Sequence, residues 1–75
     1  MKLKLNKNWI EYLLKYPETG MGYQRVDVVL KSGQIIKDVV VLNAEELLLT
    51  DQYTDLKIEE ITNLIVLTKG EDKTF

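Results

Sequence analysis

The stretch from Val26 to Leu42, VDVVLKSGQIIKDVVVL, constrains the fold more than any other part of the 75-residue chain. Two runs of mainly β-branched residues flank Ser32-Gly33, and apolar side chains in the first run alternate as they do on one face of a strand. Glycine permits the positive φ that a tight reversal requires, and β-branched residues fit a pleated sheet. The pattern predicts a β-hairpin with strands at residues 23–31 and 34–42.

The length and the missing residue types limit what this chain does. A chain of 75 residues forms one domain with a thin core. It contains no cysteine and no histidine, which removes disulfides, thiolate metal sites, thiol nucleophiles and histidine acid–base chemistry. Oligomerisation remains a common way for such a small domain to gain stability. We therefore expect a single domain over residues 8–70, an N-terminal extension over 1–7 and a C-terminal tail over 71–75.

Charge is distributed unevenly along the chain. The first sixteen residues carry four lysines and one glutamate, whereas eight acidic residues oppose three lysines from Glu45 onward. A clustered basic face attracts nucleic acid, and only the N-terminal segment offers one. The alternative is that these lysines simply solvate an exposed helix face. No segment approaches the roughly 20 apolar residues that span a bilayer, so we expect a cytoplasmic protein without a membrane partner.

The N-terminal part of the chain predicts one short helix. Apolar residues recur at intervals of three and four over residues 8–15, including Trp9, Leu13 and Tyr16. Either Asn6 or Asn8 caps this helix, and Pro17 stops it. Residues 1–5 alternate lysine and leucine and either form an extended segment or fray. The glycines of ETGMG, residues 18–22, favour a turn over a phosphate-binding loop, because no strand precedes them.

Three further strands are predicted after the hairpin. Asn43 begins a turn, after which residues 46–50, 53–58 and 63–68 each read as a strand. A single 3₁₀ turn is predicted around Ile58 and Ile61, whose spacing of three brings their side chains into line. The fold class is therefore mainly β: a small five-stranded, strongly bent antiparallel barrel with a short N-terminal helix.

This order of elements resembles that of the Sm-like superfamily. VDVVLKSGQII is similar to the first Sm motif, and IEEITNLIVLTKG is similar to the second, so that the resemblance covers residues 8–70. A second resemblance, to a bacterial family, rests on YPETGMGYQ and on the chain end Asp-Lys-x-Phe, and implies no activity. The chain departs from the Sm pattern at three points. Asp38 stands where the family has a glycine, the spacing from there to Asn43 is short, and Lys69 replaces an arginine.

The Sm-like resemblance implies a ring and an RNA ligand. Proteins of that family assemble by pairing the fourth strand of one subunit with the fifth strand of the next, and they bind single-stranded RNA at the pore. By that resemblance, Asn43 takes the place of the pore-facing residue, and Lys69 and Gly70 take the place of the family's Arg-Gly. The implied assembly is a homo-oligomer, with a ring of about five to seven subunits.

Two hypotheses about function follow, and a third is less favoured. The first is a non-catalytic module that self-assembles through strand edges, because unpaired edges are templates for association. The residues predicted for that interface are Tyr53, Leu56, Ile58, Leu64 and Val66. The second is a single-stranded RNA binder, in which aromatic residues such as Tyr16 and Tyr23 stack on bases. The third, an enzyme, is disfavoured because neighbouring acids such as Glu45 and Glu46 point to opposite faces of a strand. No cofactor or metal is expected.

Overall fold

The predicted hairpin forms the centre of one antiparallel sheet. The structure, a computed structural model, describes residues 1–18 and 20–67. The described elements, in chain order, are β1 (Lys2–Lys4), α1 (Lys7–Leu14), β2 (Tyr23–Leu30), β3 (Ile35–Leu42), β4 (Glu46–Leu48), two 3₁₀ turns (Asp51–Tyr53 and Ile58–Glu60) and β5 (Ile61–Leu67). The prediction of a mainly β fold with five antiparallel strands and one helix is confirmed for the described residues.

The strands lie in the order β1-β4-β3-β2-β5. In the central pair, Tyr23 lies opposite Leu42 and Val26 lies opposite Val39. Within the described residues β1 and β5 do not pair with each other, so the sheet is open and has two edges. The chain reverses at Gly33, whose φ of 96° is the positive torsion that the sequence predicts for this turn.

The helix is capped at its N-terminus and docks on the sheet through one face. Asn6 is its N-cap, since Asn6 Oδ1 accepts a hydrogen bond of 3.0 Å from the backbone N–H of Trp9. The buried side of the helix presents Leu13, which has no exposed surface, whereas Leu14 is 68% exposed. An eight-residue helix is too short to be stable alone, so its docking on the sheet stabilises it.

The core lies between this helix and the inner face of the sheet. Alternate residues of β2, including Val26 and Val28, point into it. The residues with the most completely buried side chains are Leu13, Val26, Val28, Val41, Leu47 and Leu64. Burial of a leucine or valine side chain contributes about 1.5–3 kcal/mol relative to exposure.

The prediction of a fourth strand at residues 53–58 is wrong. This segment instead runs from the last residue of the first 3₁₀ turn to the first residue of the second, with hydrogen bonds from Tyr53 N to Thr50 O (3.1 Å) and from Leu56 N to Tyr53 O (3.0 Å). Its apolar residues do not alternate, so a strand could not direct them all to one face. The turns place Tyr53, Leu56 and Ile58 half-buried against the core.

The strand that replaces the wrongly predicted one is β1, at the N-terminal end of the chain. Residues 1–5 are extended, with β1 paired antiparallel to β4 and Leu3 opposite Leu47. Hydrogen bonds of 2.8 Å from Leu5 N to Glu45 O and from Leu49 N to Met1 O extend this pairing at both ends. The segment expected to be an extension of the domain therefore belongs to its sheet. None of the helices among residues 1–18 and 20–67 is long or apolar enough to cross a membrane.

A bulge bends the central hairpin at Asp38. The register between β2 and β3 shifts between Val26 and Val28, and Asp38 has a φ of 59°. Aspartate tolerates this left-handed conformation better than most residues. The Asp38 N–H donates to Asp27 Oδ1 (2.9 Å), so the bulged backbone keeps a hydrogen-bond partner.

Candidate functional site

The loop after the helix and the turn between β3 and β4 meet at one end of the sheet. Asn43 and Ala44 form the turn between β3 and β4, with φ values of 52° and 60°. The backbone N–H of Asn43 donates to Gly22 O (2.9 Å), and that of Gly22 donates to Glu18 Oε1 (3.2 Å). The loop after the helix is thereby held against the β3–β4 turn.

Two glycines shape this loop. Gly20 and Tyr23 exchange backbone hydrogen bonds of 3.2 Å in each direction, and Gly22 has a φ of 81°. A Cβ atom at Gly20 would lie 2.3 Å from the Tyr23 ring, so only glycine allows the ring to lie there. These contacts form a turn at residues 20–23, which overlaps the stretch where the sequence predicts one.

A cavity of about 290 Å³ opens between these segments. Its apolar wall consists of Leu13, Leu14 and Ala44. Its polar side chains are Tyr16, Glu18, Tyr23, Gln24 and Asn43. We call this space the Asn43 cavity.

Gln24 is the buried polar residue of the Asn43 cavity. It is 3% exposed, and its Nε2 donates to Leu13 O (3.0 Å) and to Tyr16 O (3.2 Å). One carbonyl lies in the last turn of the helix and the other just after it, so Gln24 ties the end of the helix to β2. Gln24 Oε1 is buried and has no hydrogen-bond partner. Sequence reasoning missed Gln24, although it occupies the same strand face as Val26 and Val28.

Of Asn43, Lys69 and Gly70, the residues that the Sm-like resemblance assigns to nucleic-acid binding, only Asn43 lies among the described residues. It is exposed and lines the cavity, whereas Lys69 and Gly70 lie outside the described residues. Leu67, the last described residue of β5, lies opposite Arg25 at the same end of the sheet as Asn43.

Among the described residues, two ion pairs lie on the outer face of the sheet, and one carboxylate lines the cavity. Glu18 is the one ionised side chain that lines the cavity among the described residues. Arg25 forms a bidentate ion pair with Asp38 on the outer face of the sheet. The hydrogen bond from Arg25, reinforced by its charge, lowers the pKa of the Asp38 carboxyl. Lys37 and Asp27 form a second pair at 3.5 Å.

The residues predicted for an oligomer interface fall into two groups. Leu64 has no exposed surface, and Val66 is half-buried, so both point their side chains toward the core. Tyr53 and Leu56 instead line a groove of about 440 Å³ beside Leu30, at the other end of the sheet. Ile58 packs against the core near this groove. Contact with another chain at β5 would therefore involve the strand's backbone more than these side chains.

The outer edge of β5 is closed at its centre. The Tyr12 hydroxyl donates to Leu64 O (2.8 Å), and Leu64 N donates to Asn63 Oδ1 (2.9 Å). Both backbone groups of Leu64 thus face away from β2, and alternation places those of Val66 on the same outer edge. Burial raises the pKa of Tyr12, and the neighbouring Tyr16 hydroxyl adds to the rise. The sequence of β5 gives no sign of this cap, because Tyr12 belongs to the helix.

The opposite edge, β1, is short and basic. It has three residues, and the side chains of Lys2 and Lys4 are exposed. The backbone groups of Leu3 and Leu5 face β4, as the bond from Leu5 N to Glu45 O shows, so those of the two lysines face outward. Lysines and short length are common features that prevent an edge from pairing with another chain.

Searches against protein-family models, curated proteins and solved structures found no match to this chain.

Proposed function

We propose that this chain is a non-catalytic, cytoplasmic interaction module of the Sm-like type that self-associates through the outer edge of β5. The observation that carries the proposal is the open sheet, in which the seven residues of β5 have a partner strand on one side among the described residues. An unpaired edge of this length is a template for another strand, and β5 contains neither a charged residue nor a proline.

The bend at Asp38 supports the Sm-like part of the proposal. The family carries a glycine at this point of its second strand, and here Asp38 adopts the positive φ that glycine favours. Although aspartate replaces the glycine here, the backbone has the positive φ that a glycine favours. A strongly bent barrel that stays open between β1 and β5 is part of the same proposal, because these two strands do not pair among the described residues and β5 stays available to a second copy.

The two edge strands of the sheet, β1 and β5, differ in length and charge. This difference favours a pairing of β5 with β5 of a second copy around a two-fold axis. A head-to-tail ring of about five to seven subunits needs a second edge as its partner. The segment predicted for that role, residues 53–58, forms turns, and the edge in its place is the short, lysine-bearing β1. The Tyr12 cap on Leu64 further limits pairing to the two ends of β5 and makes the association weak.

The test is the absolute mass measured by light scattering over a wide range of protein concentration. Val66→Pro removes an N–H that points outward and leaves the bonds to β2 intact, so we expect a monomer. Ile35→Lys is the control, because Ile35 is exposed on the outer face of the sheet and lies away from β5. If Val66→Pro does not fold, Ile65→Lys places a charge beside the same edge on a side chain that is 43% exposed.

A wild-type protein that stays monomeric at every concentration would refute self-association. A mass that falls in Ile35→Lys and not in Val66→Pro would move the interface to the sheet face. A discrete ring mass would favour the head-to-tail arrangement over the two-fold pairing.

RNA binding at Asn43, Lys69 and Gly70 stays a prediction. The carboxylate of Glu18 lies in the Asn43 cavity and disfavours a phosphate there. Retention on oligo-U that weakens with added salt would support RNA binding, because phosphate contacts release counterions.

A further inference from the structure

We propose that the Asn43 cavity binds a primary ammonium group carried on a short alkyl chain. Its volume of about 290 Å³ is roughly ten times the share of one water molecule in the liquid, so it accommodates a small organic cation. The site is separate from the edge of β5, and its test does not depend on self-association.

The buried amide of Gln24 indicates that the ligand is a hydrogen-bond donor. Its Nε2 already donates to Leu13 O and Tyr16 O, and a flipped amide would bring an oxygen against these two carbonyls. The orientation of the amide is therefore fixed, and Oε1 remains as a buried acceptor without a partner. Because Oε1 is closed off from solvent, an N–H group reaches it only with a small movement of the side chains that line the cavity.

The charge of the cavity selects a cation. Glu18 is its one ionised lining residue among those described, and Glu18 Oε1 already accepts from Gly22 N, which leaves the second carboxylate oxygen for a ligand. No lysine or arginine is among the described lining residues, so phosphates and carboxylates would meet the Glu18 charge unopposed.

The walls select an alkyl ammonium over an inorganic cation. Tyr16 and Tyr23 are partly exposed, and tyrosine rings attract an organic cation through their π faces. Leu13, Leu14 and Ala44 offer apolar contact to an alkyl chain. A primary ammonium satisfies Gln24 Oε1 through an N–H, whereas a quaternary ammonium has no N–H to donate.

The test is a titration of the isotope-labelled protein with n-butylammonium, followed by amide NMR spectra. We expect saturable shifts confined to the Gln24 side-chain amide and to the backbone signals of Gly22 and Asn43. Tetramethylammonium and acetate, titrated at equal ionic strength, should bind more weakly or not at all. Inorganic phosphate is the probe for an anion site and should leave these signals unchanged.

Three variants locate the interaction. Glu18→Gln keeps an oxygen for Gly22 N and removes the charge, and we expect binding to weaken about threefold to fivefold, as for a partly exposed ion pair. Asn43→Asp adds a charge at a position whose positive φ aspartate tolerates, and we expect tighter binding. Glu11→Gln makes the same charge change at an exposed residue that does not line the cavity and should leave binding unchanged.

Several results would overturn the assignment. These are shifts that do not saturate, an equal response to tetramethylammonium, or an equal loss of binding in Glu11→Gln and Glu18→Gln. If Glu18→Gln disturbs the loop at Gly22, the Asn43→Asp variant decides, because binding that is no tighter than wild type would also refute the proposal.

Discussion

Removing the Tyr12 hydroxyl should weaken the fold and strengthen self-association at the same time. Tyr12→Phe deletes the donor to Leu64 O and keeps the ring, which makes edge-to-face contacts with Trp9 and Tyr16 at centroid distances of 5.5 and 5.3 Å. The change therefore isolates the hydrogen bond that covers the centre of the β5 edge.

The expected fall in the free energy of unfolding follows from the position of this hydrogen bond at the sheet edge. A typical hydrogen bond contributes about 0.5–1.5 kcal/mol net, and the Leu64 carbonyl, which lies at a sheet edge, is within reach of water once it is uncovered. We expect the free energy of unfolding to fall by about 1 kcal/mol. With a urea m-value of about 1 kcal/mol/M for a chain of this size, the unfolding midpoint falls by about 1 M.

Urea unfolding followed by Trp9 fluorescence measures the loss of stability, and light scattering measures the gain in self-association. The freed carbonyl of Leu64 extends the open edge, so Tyr12→Phe should dimerise at lower concentration than the wild type. Tyr23→Phe is the matched control, because it removes a tyrosine hydroxyl away from this edge. A Tyr12→Phe protein with unchanged stability and unchanged mass would show that the hydroxyl does not cap β5.

The remaining predictions concern the core, the bulge and the pH dependence. Leu13→Ala should lower the free energy of unfolding by about 2–5 kcal/mol, whereas Leu14→Ala, at an exposed neighbouring position, should change it by less than about 0.5 kcal/mol in chemical denaturation. Asp38→Ala should be less stable than Asp38→Gly by about 1 kcal/mol, because both lose the Arg25 contact and alanine alone meets the strain of positive φ; equal stabilities would contradict a strained bulge. The contribution of Tyr12 to stability should be constant up to the ordinary tyrosine pKa of 10.0 and should be lost as pH rises through its raised pKa, and Tyr12→Phe should reduce that slope in unfolding measured against pH. At acid pH, the contribution of Asp38 should be present above its ordinary pKa of 3.8 and lost as pH falls through the lowered pKa, and Asp38→Asn should remove this dependence.

The candidate sites were only partly predictable. Asn43 was selected through the Sm-like resemblance, and the structure places it at a cavity whose other polar residues come from the helix end, the following loop and β2. Gln24 was missed, because a polar residue in an apolar strand pattern does not reveal which carbonyl it contacts. Leu64 was selected for an interface, yet its side chain lies in the core and only its backbone faces the edge.

Local sequence patterns are sufficient to predict the elements that depend on neighbouring residues. The β2–β3 hairpin follows from alternation and from Gly33, and the helix follows from its three-and-four spacing and from an asparagine cap. The sequence offers both Asn6 and Asn8 for that cap, and the structure uses Asn6. These signals act over a few residues, so a local pattern is sufficient to predict them.

Contacts between distant parts of the chain are visible only in the folded molecule. The hydroxyl of Tyr12 meets Leu64 across 52 positions, and Leu3 pairs with Leu47 in a strand that no local signal distinguished from a frayed end. A short alternating segment becomes a strand only when an open edge is present beside it, and a residue caps an edge only after the helix has docked. Such contacts depend on the geometry of the assembled core, because the free energy that favours them arises from partners far away in the sequence.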